Sequence, residues 1–200
     1  AGNLGNLWRY LGQREDAERV LSLGLERARA AEDQFMEGSL LLLLGEVAMD
    51  FADWEQAEAR LLAALDASEL SESISEQSEI LLALTSLKTE QGRTSEAITY
   101  GKRALDTAER AEREAIKAQA HARLAEAYAI SDPDEAHHQE HAAAAREAVD
   151  TISNPDQRWH IHRVASQAAK RRGDQAVMTA EASEVKRLLH RNHDLLLRTL

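Results

Sequence analysis

Of 200 residues, 36 are Ala, 27 Leu, 23 Glu and 24 Lys or Arg, while Pro occurs twice and Val plus Ile 13 times, so strong helix formers dominate and a sheet-based enzyme fold has little to build with. A net charge of −11 disfavours direct attraction to nucleic acid or anionic lipid. The lack of cysteine excludes disulfides, thiolate zinc sites and thiol nucleophiles and favours a cytosolic setting, and no apolar run exceeds five residues, too short for a membrane span or a signal-peptide core.

Along the chain one pattern returns at a fixed interval. Leu4-Gly5, Leu44-Gly45, Leu84-Thr85, Leu124-Ala125 and Ala165-Ser166 are spaced by 40, 40, 40 and 41 residues. Eight residues after the first of each stands a breaker or small residue: Gly12, Ala52, Gly92, Asp132 and Gly173. In the first copy, about residues 1–34, Leu4, Gly5 and Trp8 precede the turn and Ala17, Leu21 and Gly24 follow it. The second, 35–73, sets Leu41, Leu44, Ala48 and Phe51 at helical spacing before the turn and Ala57, Leu61, Ala64 and Leu65 after it. Asp53 with Gln56 three residues on predicts a capping box there. The third, 74–112, keeps Leu84, Gly92, Ala97 and Ala104. The fourth, 113–153, keeps Leu124, Ala125, Tyr128 and Ala136, and Asp132-Pro133-Asp134-Glu135 predicts the start of its second helix. The fifth, 154–192, opens on Asn154-Pro155-Asp156-Gln157 and keeps mainly Gly173-Asp174. Residues 193–200 read as the start of a capping helix or a connector to a further region, and the ends of the array as places for self-association.

Each copy therefore predicts a helix-turn-helix pair. Gly12, Gly92 and Gly173 suit the left-handed residue that closes a helix. Gly5, Gly45 and Ala125 leave a gap on the first helix, which Ala17, Ala57 and Ala136 on the second are expected to face. One pair alone cannot bury its apolar face, so about five of them stack into an all-α solenoid.

Copy one, LGNLWRYLGQREDAERVLSLGL, resembles the tetratricopeptide repeat (TPR) motif through Leu4, Gly5, Trp8, Gly12, Ala17 and Gly24, and copy two does so through Leu44, Gly45, Ala57, Leu61 and Ala64. The 40-residue spacing exceeds the family's usual ~34. In this it is similar to the repeats of large bacterial ATPase-linked transcriptional regulators and of some polarity and motor adaptors. The extra residues are expected in helices or connections, as in 27–37 and 69–75. The resemblance covers roughly residues 1–192 and implies a right-handed superhelix whose first helices line a concave groove.

On that implication Asn6, Glu46, Ser86, Glu126 and Gln167 project into the groove. Arg9, Met49, Asp50, Glu90, Lys170 and Arg171 follow one turn on, and Leu42, Leu82 and Arg163 come one turn before. The expected groove is acidic and partly apolar in its middle and basic at its C-terminal end. The expected partner is a protein or peptide segment, basic at one end, with apolar anchors along Glu46, Asp50, Glu90, Leu42 and Leu82. The clamp by which TPR co-chaperones hold a chaperone's terminal carboxylate is missing, since Asn6 fits it but Gly2, Leu43, Glu79 and Ala83 do not.

His137, His138 and His141 share one predicted helix, but no third ligand from another element is identifiable. They read as polar surface histidines, and no metal or other cofactor is expected. No phosphate loop or nucleophile elbow occurs, and carboxylate pairs such as Glu46 and Asp50 read as a solvated face. Trp8 and Trp54 read as packing residues. The chain is expected to bind rather than catalyse, as a protein- or peptide-binding scaffold within a larger cytosolic regulatory or adaptor protein. The alternative is a small-effector sensor domain of a multidomain signalling or transcriptional regulator.

Overall fold

A computed structural model describes the backbone of residues 1–131 and 135–199. These hold ten helices and no strand: α1 (Gly2–Tyr10), α2 (Arg14–Ala30), α3 (Gln34–Asp50), α4 (Trp54–Leu70), α5 (Ile74–Glu90), α6 (Thr94–Arg110), α7 (Glu114–Ser131), α8 (Glu135–Val149), α9 (Pro155–Arg172) and α10 (Gln175–Thr199). From α2 to α6 every helix has 17 residues, and every connection from α1 to α7 has three. A 40-residue period is thus two helices and two turns, and the residues beyond the usual motif lengthen the helices rather than the connections. No helix among the described residues is long and apolar enough to cross a membrane.

The six turns from α1 to α7 close in one way. The middle residue has a positive φ, 70° at Gly12, 53° at Glu32, 56° at Ala52 and Glu72, 72° at Gly92 and 53° at Glu112. Its N–H donates to the carbonyl three residues back and the next N–H to the carbonyl five back, as Glu32 does to Arg29 and Asp33 to Ala28, so the last carbonyls of each helix are satisfied. Gly173, at 75°, repeats this between α9 and α10. The residue after the left-handed one stands at the start of the next helix, and Asp33, Ser73 and Asp174 cap it with their side chains. Asp33 accepts from the Met36 N–H at 2.9 Å, and Asp174 accepts from that of Val177 at 3.0 Å. Asp53 stands at the expected cap, but the box does not form. Its carboxylate accepts from the Gln56 side chain at 2.9 Å and from Arg14 at 2.7 Å, not from the backbone. Pro155 opens α9 as expected. The start expected at Asp132-Pro133-Asp134 lies outside the described residues.

Gly5 and Gly45 do provide the gap within a pair, but a leucine fills it. A Cβ added at Gly5 would lie 2.4 Å from Leu21, and one at Gly45 2.8 Å from Leu61, whereas Ala57 brings only its carbonyl oxygen, at 3.6 Å. The leucine one turn beyond the alanine reaches further, so it takes the space the glycine vacates.

Successive pairs stack through α2–α3, α4–α5 and α6–α7. The first helices α1, α3, α5, α7 and α9 also touch in turn, while the second helices stand farther apart and meet through long side chains, as Arg60 of α4 does with Glu18 of α2 at 3.3 Å. Close first helices and splayed second ones curve the stack, with the first helices inside. A leucine-rich core runs from α2 into α7, and a smaller one of Ala118, Ala122, Ala145, Val149, Ile152, Ile161 and Val164 joins the last two pairs. Helix α10 runs unbroken to Thr199.

Candidate functional site

The inner face forms an open groove of about 790 Å³, floored by all five first helices. Of the residues expected there, Asn6, Arg9, Leu42, Glu46, Met49, Asp50, Leu82, Ser86, Glu90 and Arg163 line it. Glu126, Gln167, Lys170 and Arg171 do not. Glu126 is fully buried beneath, receiving Arg123 Nη1 at 3.1 Å with Arg171 Nε 3.4 Å away. Gln167 accepts from Arg163 at 3.4 Å, and Lys170 is exposed outside the groove lining. The fourth first helix offers Gln119 and Arg123 to the groove in place of Glu126.

The groove has further walls that the sequence does not place there: Ile116, Gln119 and Arg123, Trp54, which reads only as a packing residue, and Leu43, Glu79 and Ala83, which read only as clamp positions. Their signal lies in the 40-residue register, since 43, 83 and 123 repeat, as do 79 and 119. The apolar floor is Leu42, Leu43, Leu82, Ala83 and Ile116, with Met49 and Trp54 at the N-terminal side. Ser86 donates its hydroxyl to the Leu82 carbonyl at 3.1 Å and offers no free donor to a ligand. Trp8 and Trp54 are half-buried against the leucine core.

The groove has its carboxylates before Arg123 and Arg163, in the expected order, but several of those carboxylates are ion-paired. Arg9 donates Nε to Asp50 at 2.6 Å and Nη1 both to the Glu46 carboxylate and to Asn6 at 3.2 Å. Although burial opposes it, the fields of Glu46 and Asp50 raise the Arg9 pKa. Burial lifts the Glu46 pKa against the pull of Arg9. Glu79 receives Arg113 at 2.6 Å. Three of the groove's carboxylates are therefore joined to arginines of the neighbouring pair. Sequence spacing cannot reveal this, because each ion pair spans between 34 and 41 residues. At the far end Arg123 and Arg163 face the same groove.

Of the three histidines expected at the surface, His137 is exposed and His138 partly so, but His141 is not. His141 is buried, with Nδ1 2.9 Å from Nδ1 of His121 on α7. Tyr128 stacks on His137 and His141 at centroid distances of 5.0 and 5.6 Å. His138 Nδ1 lies 2.8 Å from the Ala125 carbonyl, so that nitrogen carries the proton. Burial and the neighbouring His121 lower the His141 pKa to about 4. Among the described residues no three His, Cys, Asp or Glu side chains converge as a metal-binding set. A second cleft, of about 640 Å³, lies between the last two pairs over Ala122, Ala125, Ala142, Ala145, Ala165 and Ala168.

No protein-family model matches the chain, and no curated protein matches it. Solved structures do. BtubC (BKLC) from P. vanneervenii superposes with a TM-score of 0.72 at 20% identity, over 95% of this chain and 78% of that one. A Podosopora anserina putative kinesin light chain with nearly identical TPR-like repeats gives 0.63 at 12% identity, over 96% and 94%. A substituted form of that same protein gives 0.64 at 12% identity with the same coverage. Helices paired by three-residue turns, first helices inside and near-complete coverage by these neighbours make the same point: the chain folds as a TPR-like repeat solenoid.

Proposed function

We propose that the chain is a protein- or peptide-binding scaffold module that holds an extended or helical segment in its inner groove, without performing chemistry on it. The supporting observation is the trough itself: about 790 Å³, apolar along its floor and walled by side chains from all five first helices. A trough of this shape suits an elongated ligand lying across several repeats, with apolar anchors on Leu42, Leu82 and Met49. Its setting would be a larger cytosolic regulatory or adaptor protein, for which TPR-like neighbours are a fitting scaffold.

A photo-crosslinking residue at Met49 in the groove, compared with one at exposed Thr99 on α6, tests this directly. A single partner segment joined from Met49, absent from Thr99 and lost when Ala83→Gln fills the floor, supports the reading. Equal labelling from both positions, or labelling from Met49 that ignores the filled floor, sinks it.

A further inference from the structure

Three of the groove's carboxylates are paired with arginines, but one of its own cations has no carboxylate. Arg9 is held by two carboxylates, Glu46 and Asp50. Arg163, at the other end, gives Nη1 only to the neutral Gln167 amide at 3.4 Å and lies over the Trp159 ring at 5.6 Å. Its Nε is buried and has no hydrogen-bond partner, and no carboxylate among the described residues forms an ion pair with it. The nearby buried carboxylate, Glu126, is taken by Arg123 and Arg171. Glu90 on α5 lines the same groove and favours the charged form of Arg163, yet it does not reach ion-pair distance.

A half-buried guanidinium with an unmet donor is costly to keep. Here a second guanidinium, Arg123, faces the same space. Burial and the like charge of Arg123 both lower the Arg163 pKa, the signature of a cation short of its counterion. The planar fork of an arginine matches a carboxylate in two parallel hydrogen bonds.

We infer that Arg163, with Arg123 beside it, receives an acidic side chain of the segment bound in the groove, so that the ligand is a peptide carrying Asp or Glu next to the apolar residues that lie on Leu82 and Ala83. This rests on the groove being the binding face and names the chemistry of its ligand, which reverses the basic segment expected from sequence. A peptide is favoured over a small anion because the arginine end is continuous with an apolar floor that a small anion would leave empty.

A random dodecamer display library selected on the whole chain, on Arg163→Gln, on Arg163→Glu and on Ala83→Gln decides the matter, with helicity checked by circular dichroism. Expected from the wild type are peptides enriched in Asp or Glu beside apolar residues, bound about tenfold more tightly than their Gln or Asn counterparts. That preference should weaken between roughly 50 and 200 mM salt as the Debye length shortens. Arg163→Gln should erase the preference while leaving the amide peptides bound as before, and Arg163→Glu should select Lys or Arg instead. Enrichment without acidic residues, an acidic preference that survives Arg163→Gln, or no enrichment at all overturns the inference. Binders that ignore Arg163 but disappear in Ala83→Gln leave the groove reading standing and remove only this one. Binders indifferent to both variants remove both.

Discussion

Across α3 to α5 most of the buried volume is large aliphatic side chain, with Leu40, Leu61, Ile80, Leu81, Leu84 and Leu87 all at 1% exposure or less, although Lys88 is buried among them with its ammonium on Glu58. Across α7 to α10 the same layer is built from Ala118, Ala122, Ala145 and Ala168, and the space left over is taken by polar groups. There Glu181 accepts from Arg146 at 2.8 Å and pairs with His162 Nδ1 at 2.7 Å, Glu126 sits among arginines, and His121 meets His141. The link from α8 to α9 has five residues instead of three, and α8 scarcely meets α9, which opens the alanine-lined cleft. Aliphatic burial is tolerant of small shifts and indifferent to pH. Buried polar groups hold only while each keeps its partner and its protonation state. One architecture therefore carries a robust half and a conditional half.

The contrast is sharpest when core volume is removed. Leu61→Ala empties the gap above Gly45 and is expected to cost about 2–5 kcal/mol, the usual range for a buried leucine. Ala168→Gly, equally buried in the second half, removes one methyl and should cost about 1 kcal/mol, most of it helix propensity. Urea unfolding of each variant measures both. Equal losses would mean that the two halves are packed alike.

Acid should separate the halves next. A histidine whose pKa is depressed in the fold stabilises it above the unfolded value and loses that contribution as pH falls through the folded value. For His141 this window runs from an ordinary 6.5 down to about 4, with a loss on the order of 2 kcal/mol. His121, also lowered, acts in the same direction. Lys117 and Glu109, which bear on His121, and Glu140, His137 and Lys102, which bear on His141, set the local field. In the aliphatic half Glu76 has the opposite sign. Burial, only partly offset by Ser39, raises its pKa, so acid favours the folded state there. Hydrogen exchange between about pH 6.5 and 5 should therefore show falling protection in α7 and α8 and none in α5. His141→Phe, which keeps a ring on Tyr128, should flatten the α7–α8 profile. A profile unchanged by that substitution would place the acid sensitivity elsewhere.

The same division governs what can be read from the letters. Leu-Gly pairs at 40-residue spacing expose the helical pairs of the aliphatic half because a leucine needs a glycine to seat against, as Leu21 does on Gly5 and Leu61 on Gly45. Groove positions on α3 and α5 follow from that register, hence the agreement at Leu42, Glu46, Leu82, Ser86 and Glu90. In the second half the register points to Glu126 as a wall where Arg123 stands, and the leucine of α7, Leu124, seats on Gly101 of the preceding pair instead of on a residue of its own pair. The state of each charge is not legible at all. Whether Glu46 is open or held depends on Arg9, 37 residues away, and whether His141 is dry depends on His121, 20 residues away.

The turns supply the smallest and cleanest test, because they are the one feature both halves share. Gly12, Gly92 and Gly173 occupy the left-handed conformation at little cost, and a Cβ added to any of them would meet nothing within 4 Å. Glu32, Ala52, Glu72 and Glu112 adopt the same conformation with φ between 53° and 56°, although a side chain there is disfavoured by about 1 kcal/mol. No glycine marks these four, and only Ala52 is announced by the 40-residue register; it is the two hydrogen bonds to the preceding helix end that hold them in place. Replacing each by glycine should stabilise the fold by about 0.5–1 kcal/mol, the relief of strain exceeding the added freedom of the unfolded chain. The turns lie far enough apart that the gains should nearly add. Gly92→Ala should cost about 1 kcal/mol, and since it meets no neighbour, that loss is backbone strain alone. If the four glycine variants instead lower the melting temperature, Glu32, Glu72 and Glu112 contribute through their side chains, and the regularity of the aliphatic half would rest on more than leucine burial and turn geometry.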